Sequence, residues 1–88
     1  MNKLVFLPEA WAEYIYWQGQ DKRTLRKINQ LLQEVSRNAF IGVGKPEPLK
    51  GSMAGWWSRR IDDENRLVYR VKSNNIEIAQ CKGHYKDK

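Results

Sequence analysis

An α+β domain with chain order β-α-α-β-β-β, its antiparallel-dominated twisted sheet packed against two N-terminal helices, is expected on three grounds. Apolar residues recur at three- and four-residue steps between Trp11 and Val35, the spacing of helix faces. Three short runs rich in β-branched and aromatic residues fill the second half, separated by turn-forming residues. The chain has 88 residues, enough for one core and too few for two, so residues 1–88 are read as a single domain. Hydrophobic residues make up 41% and aromatics 11%, which excludes wholesale disorder.

The first apolar run, "KLVFL", is cut off by Pro8 and reads as a strand. Pro8 suits the first turn of a helix, and "PEAWAEYIYWQG" follows. There Trp11, Tyr14, Ile15 and Gln18 define one face, with Gly19 as the stop. Asp21 can cap a second helix, "DKRTLRKINQLLQEVSRN", whose apolar stripe is Leu25, Ile28, Leu31, Leu32 and Val35. The short connection predicts a helical hairpin. "IGVGKPEPLKGSMAG" is a Gly- and Pro-rich loop with a brief strand near Leu49. "WWSRRI" and "RLVYRV" are strands joined by the acidic turn "DDEN", and "NNIEIAQC" follows the turn "KSNN". No repeats, low-complexity tracts or linkers interrupt this order.

The formal net charge is +6. The first 40 residues carry six Lys/Arg against four Asp/Glu, and residues 41–88 carry ten against six, so the excess leans toward the second half. A small basic domain suits a polyanion, nucleic acid first among them. Cys81 is the single cysteine, so an internal disulfide is ruled out, and one histidine is too few for a metal site. It reads as a small strand residue in a reducing cytoplasm. The N-terminus lacks a signal peptide's long apolar core and cleavage site, and no stretch approaches the 18 apolar residues of a membrane span.

Three segments could carry chemistry. In "KPEPLK", Pro46 fixes its own φ and Pro48 restricts Glu47 to extended backbone, leaving a stiffened carboxylate between Lys45 and Lys50. In "WWSRRIDDENRLVYR", alternation sends Trp56 and Trp57 to opposite faces, and likewise Arg59 and Arg60. An even-residue turn would pair Arg60 with Leu67 and place Arg60 and Arg66 on opposite faces; an odd, bulged turn would bring them together. A plainer reading has these arginines pairing only with Asp62, Asp63 and Glu64. In "GHY", the lone His84 stands beside Tyr85 close to the C-terminus, where chains usually fray.

RNA cleavage requires a base for the 2′-hydroxyl proton, an acid for the leaving 5′-oxygen, and cations for the charge gathering on phosphorus. It needs no cofactor. With one histidine available, a glutamate has to be the base and the histidine the acid. All these residue types are present, but their geometry is not given by inventory.

The stretches "YWQGQDKRTLRKINQLL", "GKPEPLKG", "GWWSRRIDDENRLVYRV" and the near-terminal "HY" resemble the YoeB toxins (Txe/YoeB family) of the RelE-like superfamily of bacterial toxin–antitoxin systems. Four motifs in register, from about Lys3 to Tyr85, carry the resemblance. It implies a microbial-ribonuclease-like fold and a ribosome-dependent mRNA endonuclease acting in the A site of the 30S subunit of the 70S ribosome. The products would carry 2′,3′-cyclic phosphate (or 3′-phosphate) and 5′-hydroxyl ends. Carried over by motif, Glu47 becomes the general base and His84 the general acid. Lys50, Arg60 and Arg66 become the phosphate and transition-state ligands, and Tyr85 a positioning or stacking residue; no metal or cofactor is implied. The implied partners are mRNA, ribosomal RNA and a cognate antitoxin of the YefM type, with operator DNA reached only through the antitoxin complex and no membrane. Monomer and homodimer both stay open, and the implied location is the bacterial cytoplasm.

Two departures stand out. Asn65 occupies a position where the family often has histidine, and "KDK" extends the chain past Tyr85. A carboxylate among cations is a weak base at neutral pH, so positioning on the ribosome would have to supply what basicity does not. A second hypothesis, a non-catalytic basic RNA- or ribosome-binding module, needs only the charge and the aromatics. New 5′-hydroxyl ends on translated mRNA would separate the two.

Overall fold

The computed structural model describes residues 2–84. Strand β1 (Lys3–Phe6) leads into helices α1 (Pro8–Gln20) and α2 (Lys22–Arg37). A loop then runs to the two-residue strand β2 (Glu47–Pro48) and a 3-10 turn (Gly51–Met53). Strands β3 (Trp57–Arg60), β4 (Arg66–Lys72) and β5 (Asn75–Gln80) follow. The five strands form one sheet in the order β1-β5-β4-β3-β2. β1 lies parallel to β5, and every other pairing is antiparallel, as expected for an antiparallel-dominated α+β domain. Among the described residues, no helix is long and apolar enough to cross a membrane.

Helix α2 forms where its stripe predicts. Asp21 caps it by accepting from the N–H groups of Arg23 and Thr24. Ile28, Leu31, Leu32 and Val35 are buried, with Leu25 packed against the core. Fully burying each such side chain contributes roughly 1.5–3 kcal/mol.

Helix α1 differs from the expected face. Trp11 and Ile15 are 51% and 49% exposed and Gln18 is also exposed; the buried side is Ala10 and Trp17, with Tyr14 half-buried. Ala10 lets the helix backbone approach β5 closely, and the Trp17 Nε1–H donates to the carbonyl of Cys81 at 2.8 Å. The large aromatics Trp11 and Tyr14 instead pack on Phe6 at the flank. Gly19 does not stop the helix, which runs to Gln20. Cys81 lies just past β5, fully buried, and burial pushes its thiol up to about 12.

Inward on β3, Arg59 is 0% exposed. Its Nε donates to the Tyr69 hydroxyl at 3.1 Å and its Nη1 to the Val43 carbonyl at 3.1 Å. Its Nη2 donates to the carbonyls of Asn38 and Ile41 at 2.5 and 3.0 Å. The Tyr69 hydroxyl in turn donates to Ala39 at 2.7 Å. One guanidinium thus gathers the loop between α2 and β2, contrary to the reading that pairs the arginines only with the acidic turn. Arg59→Met removes the guanidinium donors, leaving three carbonyls and the Tyr69 hydroxyl without them. The expected loss is about 3 kcal/mol or more, read as a lower urea midpoint at unchanged m-value.

Candidate active site

Register decides which side chains share a face. The turn between β3 and β4 holds five residues, 61–65, and Arg60 stands directly opposite Arg66. Of the two geometries open from sequence, this is the one that brings both arginines to one face. Glu47 is paired with Ser58, which sits two residues before Arg60, so Glu47 joins the same face, turned away from the helices. Trp57 and Arg59 take the opposite side, toward the core. Trp56 separates from Trp57 as alternation requires, and the Arg70 guanidinium stacks on its ring at 4.4 Å while Arg70 Nε holds Glu77 at 2.7 Å.

The loop that delivers Glu47 is held from beneath. Arg60 N–H donates to the Gly44 carbonyl at 2.7 Å, and Gly44 has a φ of 90°. A Cβ there would stand 3.0 Å from Leu31 Cδ2 and 3.2 Å from the Arg60 carbonyl oxygen, so both backbone conformation and space call for glycine. Glu47 itself is exposed. Three residues on, Lys50 is exposed at the start of the 3-10 turn, and its carbonyl accepts from Met53 N–H at 3.1 Å.

Both site arginines are engaged near the β3–β4 turn. Arg60 forms an ion pair with Asp63, whose side chain is 89% exposed. Such a surface pair is worth little and can yield to a phosphate. Arg66 uses one nitrogen, Nη1, on the carbonyls of Asp62 and Asn65 at 2.5 and 3.1 Å. Its remaining N–H groups suit bidentate recognition of an oxyanion.

His84 reaches this neighbourhood through its backbone. β5 ends at Gln80, before the run read as strand is complete, and side chains hold the segment beyond it. Glu13 on α1 accepts from Cys81 N–H at 2.7 Å. Burial pushes the Glu13 carboxyl up, against the lowering effect of the Cys81 and Lys82 amides. Asn65 Oδ1 accepts from Gly83 N–H at 2.7 Å, and the Gly83 carbonyl accepts from Arg66 N–H at 2.9 Å. His84, exposed, lines a cleft of about 680 Å³ with Met53, Glu9, Glu13, Gln80 and Lys82. Tyr85 and the "KDK" extension lie outside the described residues. The structural roles of Arg59, Asn65 and Glu13 are not evident from the sequence pattern. The one available signal was the alternation that sends an arginine inward at position 59.

A family model for the YoeB-like toxin of bacterial type II toxin–antitoxin systems matches residues 6–85. The chain belongs to this family. Toxin YoeB of Escherichia coli (strain K12) is 51% identical over 83 residues, covering 94% of this chain and 99% of that protein. A YoeB/ParE toxin from Agrobacterium tumefaciens superposes with a TM-score of 0.91 at 50% identity, covering 94% of this chain and 99% of its own. Staphylococcus aureus YoeB has been solved as a dimer (TM-score 0.86, 49% identity, 96% and 98% covered) and in a YoeB–YefM complex (TM-score 0.87, 48% identity, 97% and 99% covered). The family membership agrees with the resemblance read from the four motifs.

The turn that joins Arg60 to Arg66 has its own pH dependence. Burial tends to raise the Asp62 carboxyl, but hydrogen bonds from the Asn65 side chain and from the Glu64 and Asn65 amides outweigh it and hold the group below its ordinary 3.8. A lowered folded value means the folded state favours the ionised form. This stabilisation is therefore present above the ordinary value and is lost as pH falls through the folded one. Asp62→Asn should lower the urea midpoint at about pH 6 and converge with the parent at about pH 2.

Proposed function

We propose that this YoeB-family toxin is a ribosome-dependent mRNA endoribonuclease. The carrying observation is a shared frame: register aligns Glu47, Arg60 and Arg66 on one sheet face, and the backbone of Gly83, next to His84, is bonded to the backbone of Arg66. In this reading Glu47 takes the proton of an mRNA 2′-hydroxyl. The 2′-oxygen attacks the adjacent phosphorus, and the 5′-oxygen leaves with a proton from His84. The products are a 2′,3′-cyclic phosphate, which hydrolysis opens to a 3′-phosphate, and a 5′-hydroxyl end. Arg66, Arg60 and Lys50 hold the phosphate and its developing charge, and Tyr85 stacks on or positions the substrate.

The substrate is mRNA in the 30S A site of a 70S ribosome. Basic residues such as Lys22, Arg23, Arg26 and Lys27 of α2 are available for ribosomal RNA. The proposed antitoxin is of the YefM type, supported by the YoeB–YefM complex of the S. aureus relative, and operator DNA is reached through that complex. Self-association is supported by the dimer of the same relative. The proposed setting is the bacterial cytoplasm. A binding-only basic module accounts for the charge, but not for a carboxylate sharing a face with two arginines.

Glu47→Gln and His84→Gln should each lower single-turnover cleavage on programmed ribosomes by about 10²–10⁴-fold while ribosome binding persists. End mapping of the parental reaction should show new 5′-hydroxyl termini. Parental cutting rates in both variants would remove the acid–base assignment, and absence of new ends would favour the binding-only module.

A further inference from the structure

We propose that Asn65 is a positioning residue for His84, a role that rests on the general-acid reading given above. Asn65 sits in a surface turn yet is only 8% exposed, and its side-chain amide is engaged at both ends. Nδ2 donates to both carboxylate oxygens of Asp62 at 3.0 Å. Oδ1 accepts from the N–H of Gly83 at 2.7 Å. Asp62 is itself fixed, accepting from the N–H groups of Glu64 and Asn65 at 2.8 and 2.7 Å. The amide thus transmits the rigidity of the β3–β4 turn to a segment 18 residues away in sequence.

The next residue completes the clamp. Arg66 N–H donates to the Gly83 carbonyl at 2.9 Å, and Gln80 Nε2 donates to the same oxygen at 2.9 Å. Both polar backbone groups of Gly83 are therefore held, by two consecutive residues of which the second is a proposed phosphate ligand. Gly83 adopts a φ of 81°, and a Cβ there would meet nothing within 4 Å, so conformation rather than space calls for glycine. His84 follows directly, its Cα about 3.8 Å from that of Gly83. Fixing Gly83 fixes the root of the imidazole relative to Arg66.

Closing the turn does not require this bond. The Asp62 carboxylate and the Asn65 carbonyl, which accepts from Ile61 N–H at 3.0 Å, already close it. The link to Gly83 needs an acceptor and the link to Asp62 needs donors, and a short side-chain amide carries both.

The test uses the full chain on programmed ribosomes. Asn65→Ala should slow single-turnover cleavage by about 10–100-fold, the scale of an ångström-sized misplacement, with ribosome affinity unchanged within about threefold. Added to His84→Ala, it should cost nothing further, because it acts through the imidazole. The Gly83 amide should be protected from hydrogen exchange in the parent and exchange about tenfold faster or more in Asn65→Ala. Parental cleavage by Asn65→Ala alongside an inactive His84→Ala overturns the proposal and leaves the general-acid reading standing, and so does a loss that multiplies in the double variant. Parental cleavage by His84→Ala overturns the general-acid reading and the proposal together. Should Asn65→Ala fail to fold, exchange in the parental chain decides: a protected Gly83 amide supports the clamp, and an unprotected one overturns it.

Discussion

The buried guanidinium of Arg59 is the interaction on which the site's frame rests. The loop between α2 and β2 is built inside out. Phe40 and Ile41 are 50% and 70% exposed, while the carbonyls of Asn38, Ile41 and Val43 accept from the cation. Such a loop gains little from burying apolar side chains, with only Ala39 in the core and Phe40 resting on Trp57. It closes because one planar cation with five N–H groups can satisfy several carbonyls from a single point. Moving that cation out of water costs several kcal/mol, and its acceptors here are neutral oxygens, so the arrangement depends on the bonds being made together. Glu47 and its strand begin where this loop ends, and the backbone N–H of Arg60, adjacent to Arg59, fixes Gly44.

Helix α2 was legible because nothing competes with its pattern: the stripe and the Asp21 cap both appear where the residues demand them. Helix α1 differs from its reading because its residues support more than one three- and four-residue series, and Ala10, Tyr14 and Trp17 rather than Trp11, Ile15 and Gln18 face the core. Trp11 and Ile15 are large and apolar, yet the buried positions are the small Ala10 and Trp17, whose Nε1–H donates to the Cys81 carbonyl. The turn between Ser73 and Asn74 was readable as a turn, and both residues take the positive φ of a two-residue hairpin loop, 53° and 65°.

The candidate site was legible as residue types and motifs, and its geometry was not. Side-chain alternation fixes faces within a strand, but a five-residue turn, not any single residue, decides that Arg60 meets Arg66. Asp62 and Asn65 make that odd turn stable through hydrogen bonds of the Asp62 carboxylate with backbone N–H groups and with the Asn65 side-chain amide, which have no periodic signature. For Arg59, alternation indicates that one of the two adjacent arginines turns inward, but not what would satisfy it there. A charged side chain inside is rare, and only the three-dimensional placement of the loop carbonyls shows what compensates it.

The near-terminal position of His84 raises the question of how a chain end is kept in register. A continued strand ladder does not do it, since β5 stops at Gln80. Instead Glu13, Asn65 and Gln80, from a helix, a turn and the strand itself, converge on the backbone of Cys81 and Gly83. The result is a fixed backbone carrying exposed side chains, with Glu47 and His84 both open to solvent. A site of that kind does not itself exclude water from the scissile phosphate or hold the 2′-hydroxyl in line. Under the proposed function, the ribosome presents the mRNA backbone and the toxin contributes a pre-registered set of acid, base and cations. Dependence on the ribosome then follows from the openness of the face, since positioning is the part of catalysis that an exposed sheet surface supplies least.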